Sequence, residues 1–383
     1  MFYFISFITI VLAVLYACLM LYFRVGWLML AYFNHSKTNG PKQSYSILVP
    51  ARNEESNIEG CLMDIIGQGF PKEHFEIIVV DDFSEDGTVN QVEKIIAEHP
   101  EYTIRLLKMG EMATNERNSF KKAGLTAGIG HSKHDWIITS DADCRRGKDW
   151  LAAIDAFIQI NAPVMVSAPV AFRQPKNFFE KVQALEFSGL VGIGAASMAQ
   201  GSPNMCNGAN LIFKKEAFDE VGGYTGNDDI ASGDDEFLMH KIHARWPGKV
   251  QFLKNTEAVA WTLPATNMPQ FIQQRKRWVS KSRKYENKNI TAILVGAYLF
   301  HACLLICLAG SFFNTGYLVV FCLAFGMKTL SEFSFLYKIT RFFGQQNLLA
   351  QYIPAAFLYI FYVLYIGIYG NFGTYEWKGR KVK

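Results

Sequence analysis

The segment Trp136-Ile137-Ile138-Thr139-Ser140-Asp141-Ala142-Asp143-Cys144 runs apolar and then stops at two carboxylates one residue apart. Its first half has the length and composition of a buried β-strand. In an open parallel α/β sheet, ligands bind outside the carboxyl ends of the strands. Asp141 and Asp143 would therefore stand where a ligand lies, and oxygen ligands at i and i+2 suit a hard divalent cation. The plainer alternative is that the pair caps a following helix, expected over Gly147 to Phe157.

Upstream, the same grammar repeats. Ser44 to Pro50 reads as a strand, followed by Ala51-Arg52-Asn53-Glu54-Glu55 and a helix starting near Ile58. Phe75 to Val80 is a second strand ending in Asp81-Asp82, and the turn-rich Phe83-Ser84-Glu85-Asp86-Gly87-Thr88 leads into a helix to about His99. Thr103 to Lys108 is a third strand, and Phe120 to Gly130 a helix. Alternating strands and helices, with polar or acidic residues at successive strand ends, predict a doubly wound α/β sheet that binds a nucleotide-like ligand.

Downstream, Asn177 to Gln200 reads as one long helix. Its apolar part, Phe187 to Met198, is short for a bilayer span and fits a core or interfacial helix. Cys206 to Phe213 reads as a loop and strand, and Ser232-Gly233-Asp234-Asp235-Glu236-Phe237-Leu238 as an acidic helix start. Such acids also suit a helix N-terminus for dipole reasons alone. His240 and His243 have the spacing of a metal pair but no evident third ligand, so a helix surface is the expectation.

Half of the 383 residues are hydrophobic, and they are unevenly spread. Met1 to Ala31 carries one charge, Arg24, while Thr291 to Gly326 and Gln351 to Gly370 carry none. The chain thus divides into an N-terminal transmembrane anchor (1–30), a polar domain (44–284), a C-terminal membrane region of two or three helices (290–371) and a basic tail (372–383). Arg24, Lys37 and Lys42 follow the anchor, which by the positive-inside rule places the domain in the cytoplasm, at a bacterial inner or plasma membrane. Tyr317 to Tyr337 is interrupted by Lys328 and Glu332, spaced to pair on one helical face. It is expected to be re-entrant or interfacial, which keeps the basic tail on the domain's side. Seven cysteines without a Cys-x-x-Cys pair fit reduced thiols rather than disulfides or zinc. The net charge of +4 is too small and too local to imply a nucleic-acid partner. The apolar segments are too few, and without a repeat, for a transporter.

Three motifs, in order and in spacing, resemble glycosyltransferase family 2. They are Val49-Pro50-Ala51-Arg52-Asn53-Glu54-Glu55, Val80-Asp81-Asp82-x-Ser84-x-Asp86-Gly87-Thr88 and Ser140-Asp141-Ala142-Asp143. The resemblance implies a GT-A-type nucleotide-sugar domain that transfers a sugar with inversion. It implies that Pro50, Arg52, Glu54 and Asp82 line the nucleoside pocket, and that Asp141 and Asp143 hold Mg²⁺ or Mn²⁺ against the diphosphate. Lys122, in a segment resembling the family's lysine-containing helix, would reach the phosphates; a solvated helix start is the alternative. Asp234-Asp235 resembles the family's third acidic motif with Asp234 in the Glu position, which makes Asp235 the expected base toward the acceptor hydroxyl.

Gln274-Arg275-Lys276-Arg277-Trp278 fits Gln-x-x-Arg-Trp, seen in membrane-bound members similar to polysaccharide synthases and ceramide-glucosyltransferase-like enzymes. By that resemblance Trp278 would stack near the acceptor, and Gln274 and Arg277 would help hold acceptor and diphosphate. The remaining basic residues from Arg275 to Lys288 read as a membrane-surface face. The expected donor is a nucleotide-sugar, UDP-linked, and the expected acceptor a membrane lipid. The alternatives are a processive synthase extending a glycan and a non-catalytic nucleotide-sugar binder. The binder would have lost an acidic motif, and all are present.

Overall fold

The computed structural model describes residues 1–34, 40–111, 120–226, 233–281, 288–370, 375–378 and 380–382. Lys37 and Ser232, named above, lie outside them, as do Arg283 and Lys284 of the basic stretch from Arg275 to Lys288.

In chain order the domain begins after helix α1 (Phe2–Met29) with strand β1 (Tyr45–Ala51), helix α2 (Ile58–Ile66), β2 (Phe75–Asp81), α3 (Thr88–Glu98), β3 (Ile104–Lys108), α4 (Phe120–Gly130) and β4 (Trp136–Thr139). Next come α5 (Trp150–Asn161), β5 (Met165–Ser167), β6 (Val170–Phe172), α6 (Phe178–Ala199), β7 (Leu211–Lys214), α7 (Lys215–Glu220), α8 (Asp234–Arg245), β8 (Val250–Phe252), β9 (Ala260–Thr262) and α9 (Met268–Ser280). Helices α10 (Lys288–Gly310), α11 (Thr315–Phe342) and α12 (Tyr352–Tyr369) follow, then a hairpin of β10 (Tyr375–Trp377) and β11 (Arg380–Val382).

The main sheet has the order β3-β2-β1-β4-β7-β5-β8. β3, β2, β1 and β4 run parallel, while β7 is antiparallel to both β4 and β5. β1 and β2 are buried along almost their whole length, as strands covered on both faces must be. The strand order reverses between β1 and β4, so the crevice beyond their carboxyl ends is the topological switch point. β6 pairs with β9 in a second, two-stranded sheet beside it.

Two glycines bring α4 close. A Cβ at Gly124 would lie 3.0 Å from Val80 Cγ1, and one at Gly128 would lie 3.2 Å from Leu48 Cδ2. Their i, i+4 spacing puts both on the face that meets the sheet. Helix α6 is capped by Asn177, whose side chain accepts from Glu180 N. Among the described residues five helices, α6 one of them, are long and apolar enough to cross a membrane, but 67% of the apolar stretch of α6 is buried against 17% for α1. Phe187 of α6 stacks on Phe172 at 4.5 Å, and Gly192 receives Ile339 of α11. The core-helix expectation for α6 fits this packing.

Tyr317–Tyr337 does not form a short element of its own. That stretch lies inside the unbroken α11, which runs parallel to α1 in constant register: Phe2 meets Tyr317, Tyr16 Oη donates to Glu332, and Trp27 meets Phe342. Matching contacts over 25 residues of α1 extend about 37 Å, more than a hydrocarbon core of about 30 Å. The Lys328–Glu332 charges that suggested an interruption pair internally at 2.8 Å, and Tyr352 Oη adds a hydrogen bond to Glu332. A satisfied, buried pair does not force a helix out of an apolar environment.

Candidate functional site

Two loops at the switch point are laced together by the residues of the first two motifs. Asn53 N donates to Ser84 Oγ (3.0 Å), Glu85 N to Asn53 Oδ1 (2.9 Å), Glu55 N to Asp86 Oδ2 (3.1 Å) and Gly87 N to Glu55 Oε2 (3.1 Å). Asn53 and Phe83 adopt positive φ, 52° and 55°, which local side-chain hydrogen bonding makes tolerable for Asn. Buried Arg52 spends its guanidinium on the carbonyls of Asp82 (2.8 Å) and Phe83 (2.6 Å) and on Glu85. These bonds hold the loop that follows β2. Pro50, half-buried, precedes it in β1, and Asp82 is buried at the end of β2. Glu54 accepts from Asn57 Nδ2 at 2.8 Å, and its backbone N–H donates to Thr88 Oγ1.

Asp141 and Asp143 leave β4 beside this loop pair. The capping alternative fails, because α5 begins only at Trp150. Arg145 and Arg146, which precede it, are instead drawn back to α2: Arg145 Nε donates to Asp64 Oδ2 at 2.6 Å, and Arg146 N to the same oxygen at 2.9 Å. The expected start at Gly147 was therefore three residues early.

Asp143 Oδ2 accepts from Thr262 Oγ1 at 2.9 Å. Burial, then the neighbouring charges of Asp141 and Glu54, push its carboxyl up to about 6. Burial also works to raise Asp141, but the Lys121 ammonium, with Arg277 and Lys378, holds it below the usual carboxylate range. Two adjacent acids with opposite shifts are the pattern expected where a site is to receive positive charge.

Lys121 reaches the acids. Its Nζ lies 3.2 Å from Asp141 and 3.6 Å from Asp234, joining the switch point to the start of α8. Neighbouring helical residues point about 100° apart, so the two lysines take different directions. Lys122 is buried, with Nζ over the Phe237 ring at 5.8 Å.

The acidic run Asp234-Asp235-Glu236 forms the first turn of α8, after Gly233 at φ 78°. The dipole account and the functional one describe the same residues. Asp235 Oδ2 accepts from Gly208 N at 2.9 Å, and Oδ1 from Glu236 N. Burial raises its carboxyl; Lys281 pulls it back, while Asp234 and Glu236 push it further up. Lys281 itself pairs with Glu236 at 2.6 Å. His240 and His243 lie farther along α8.

Helix α9 carries the last motif, but its charges are not all on a surface. Arg275 is fully buried and pairs with Glu186 of α6 at 2.6 Å, its guanidinium 4.1 Å from the Trp278 ring centroid. Trp278 also packs against Phe187 (5.9 Å), and Gln274 Oε1 accepts from Arg275. Arg277 lies close enough for its charge to act on Asp141 and Lys121. Most of the basic residues here were expected to form a membrane-surface face; Arg275 and Lys281 are exceptions, paired with Glu186 and buried Glu236.

Sequence reasoning missed Lys121, Thr262, Lys281, the Arg275–Glu186 pair and Lys378. Lys121 had a signal in the glycines at 124 and 128, which fix the sheet-facing side of α4. The others depend on contacts between distant segments. Among the described residues no three His, Cys, Asp or Glu side chains gather as a ready metal cage.

The family model described as Glycosyl transferase family 21 matches residues 5–383. Glycosyltransferase AglE of Haloferax volcanii is 24% identical over 189 residues, 49% of this chain and 58% of the relative. The beta-monoglucosyldiacylglycerol synthase of Trichormus variabilis is 24% identical over 235 residues, 61% of this chain and 47% of the relative. The matches thus span about half the length of these curated relatives. Among solved structures, mannosyltransferase PcManGT from Pyrobaculum calidifontis, in complex with GDP-Man and Mn²⁺, superposes with a TM-score of 0.56 at 19% identity. That match covers 94% of this chain and 99% of that one. At that identity the likeness concerns the fold, a GT-A-like α/β domain, as the first three motifs had implied.

Proposed function

The chain belongs to glycosyl transferase family 21 and is a transferase, and from that premise we propose that it moves one sugar from a nucleotide-sugar to a membrane-lipid acceptor. The observation that carries this reading is the line Asp141–Lys121–Asp234, which joins the acids of the donor side to those at the start of α8. We assign the motifs the roles that the family 2 resemblance implies. Pro50, Arg52, Glu54 and Asp82 line the nucleoside pocket and Lys122 serves the phosphates, where the ion pairs of Lys121 with Asp141 and Asp234 add a second lysine.

Asp141 and Asp143 offer hard oxygen donors at the switch point, and the crowding that raises Asp143 is what a cation would relieve. They fit Mg²⁺ or Mn²⁺, with donor phosphate oxygens completing the shell. Such an ion would offset the negative charge developing on the leaving diphosphate. Asp235 takes the proton of the acceptor hydroxyl as that oxygen attacks the anomeric carbon. Its fixed hydrogen bonds to Gly208 N and Glu236 N aim the carboxylate, and its raised carboxyl makes it a better base near neutral pH. Gln274, Arg277 and Trp278 border the acceptor and diphosphate region from α9.

A lipid acceptor is favoured by how the membrane helices pack. Ala13, Phe300, Leu304, Cys307, Phe321, Ala324 and Ile360 fill the space between α1, α10, α11 and α12. A growing glycan would need an open path, and these side chains are in contact. The exposed outer faces, with Phe4, Phe7, Leu15, Leu299 and Leu323, suit a lipid surround, with the domain on the cytoplasmic side.

The test is nucleoside diphosphate release from a panel of UDP- and GDP-sugars by detergent-held protein with Mn²⁺ or Mg²⁺, offering extracted lipids or a sugar primer. Turnover with one donor, raised by lipid, giving a lipid with a single added sugar and lost in Asp143→Asn and Asp235→Asn, is the expected result. Tight nucleotide binding without turnover, unaffected by both substitutions, would favour a non-catalytic binder. Long products from the primer would overturn the lipid assignment.

A further inference from the structure

The C-terminal hairpin does not hang free of the domain. Tyr375 pairs with Val382 and Trp377 with Arg380, which leaves Lys378 in the turn at φ 46°. From there its carbonyl oxygen accepts from Arg52 Nε at 3.1 Å, and its ammonium forms an ion pair with Glu54. Both partners belong to the loop that follows β1, at the switch point. β10 also rests against α9, the helix that carries Gln274, Arg277 and Trp278. The tip thus closes a ring around the crevice that β1, β4, α8 and α9 begin.

We propose that the hairpin is part of the donor site and that Lys378 is a ligand for the diphosphate of the nucleotide-sugar; this rests on the transferase reading above. The crevice is rich in acids: Glu54, Asp82, Asp141, Asp143, Asp234 and Asp235. Most of its cations are committed. Arg52 is tied to carbonyls, Arg275 to Glu186 and Lys281 to Glu236. A diphosphate brings at least two negative charges into this place, and Lys121, Arg277 and Lys378 are the cations positioned to meet them. The charge of Lys378 acts on both Asp141 and Asp143, which puts it within reach of the cation and phosphate region. Its side chain is 31% exposed, so the ammonium can swing from Glu54 to a phosphate without unpacking anything. A lysine suits this task because it is a compact point charge on a flexible stem. Glu54 would then be released toward the nucleoside as the donor enters, so one contact parks the cation and readies the acid.

Besides the Glu54 ion pair, the tip is held by the carbonyl of Lys378 on Arg52 and by β10 on α9, so Lys378→Met should leave the hairpin docked. Full-length protein in detergent with Mn²⁺ is titrated with UDP, GDP and uridine, for the wild type, Lys378→Met and Lys378→Arg. The expected result is that Lys378→Met weakens diphosphate binding, and raises donor KM, by roughly ten- to a hundredfold. Uridine binding should stay unchanged, and Lys378→Arg should recover much of the loss. A merely structural ion pair would lower the melting temperature without separating UDP from uridine, and that outcome overturns the proposal. Equal UDP affinity overturns it too. Tighter UDP binding by Lys378→Met would make the hairpin a plug instead of a ligand. If the wild type binds neither UDP nor GDP, the transferase reading itself fails, and this inference fails with it.

Discussion

Replacing Asp235 by Asn removes the proposed base while disturbing little else. The carboxylate accepts one backbone N–H on each oxygen, from Gly208 and from Glu236. An Asn keeps one of these bonds and turns its amide against the other N–H, which costs about 1–2 kcal/mol. Removing a charge from beside Asp234 and Glu236 offsets part of that, so folding should survive. The chemical step should not. General-base catalysis supplies about 10²–10⁴-fold, which is roughly 3–5.5 kcal/mol of transition-state stabilisation. The assay is nucleoside diphosphate release under saturating donor and lipid, with nucleotide affinity and melting temperature measured in parallel. We expect kcat to fall by at least about a hundredfold, with donor affinity almost unchanged. Asp234→Asn serves as the control, since Asp234 is already engaged by the Lys121 ammonium at 3.6 Å and is poorly placed to accept a proton. If Asp235→Asn keeps more than about a tenth of the wild-type kcat, or Asp234→Asn is the more damaging change, the base has been misassigned.

Lys121→Met should tighten Mn²⁺ binding while slowing turnover. An ammonium about 5 Å from a divalent ion repels it by roughly 1.5 kcal/mol even at the dielectric constant of water, so the gain is about tenfold; a Mn²⁺ titration followed by its paramagnetic signal reads it, and unchanged or weaker binding counts against the crevice as a cation site. Lys281→Met should move the acid limb of the kcat/KM profile to higher pH. Burial already raises Asp235, Lys281 holds it back, and a base is lost as pH falls through its pKa, so a further rise makes activity fail sooner on acidification; a limb that stays put or moves down refutes the coupling. Glu76→Gln should lower stability at neutral pH by about 1–3 kcal/mol and flatten its loss in acid. Burial opposes the ionised form of Glu76, but Lys133 N, Ser46 Oγ and Arg105 hold it below the usual range. Its contribution is therefore present above the unfolded pKa and disappears as pH drops through the folded one; denaturation of both proteins at two pH values checks this.

The strands and helices of the first half were legible because each rule there is local. An apolar run, a turn residue and an acid at the strand end suffice to place β1, β2 and β4 and to imply the switch point. The third motif was legible as an acidic helix start, and its function only through its place in the series. What sequence could not supply was direction. How Lys121 comes to face Asp141 and Asp234 depends on how two glycines seat α4 on Val80 and Leu48. Arg52 sits within a nucleotide-pocket motif, yet its hydrogen bonds hold the loop that forms the wall. Arg275 and Lys281 look like members of a basic surface until Glu186 and Glu236 are brought up by α6 and α8. Each of these outcomes turns on contacts between segments far apart in the chain.

The membrane helices make the same point about counting. Reading Tyr317–Tyr337 as the short element returned the tail to the domain's side, and in the structure Lys378 of the tail meets Glu54 of the domain. α1 and α11 run parallel and α10 joins them from the other direction, so the chain leaves α11 on the domain's side, where Gln345 Nε2 donates to Phe172 O. α12 then starts beside Thr329 and Glu332, passes Phe325, and ends with Gly367 against Tyr298 and Gly370 against Val279 of α9. Both of its ends therefore connect to parts of the chain that face the domain, although its 18 residues are apolar throughout. Hydropathy measures whether a helix tolerates lipid; only its partners tell whether it crosses. The partners of α12 lead the chain back to α9, and the hairpin that follows reaches Arg52 and Glu54.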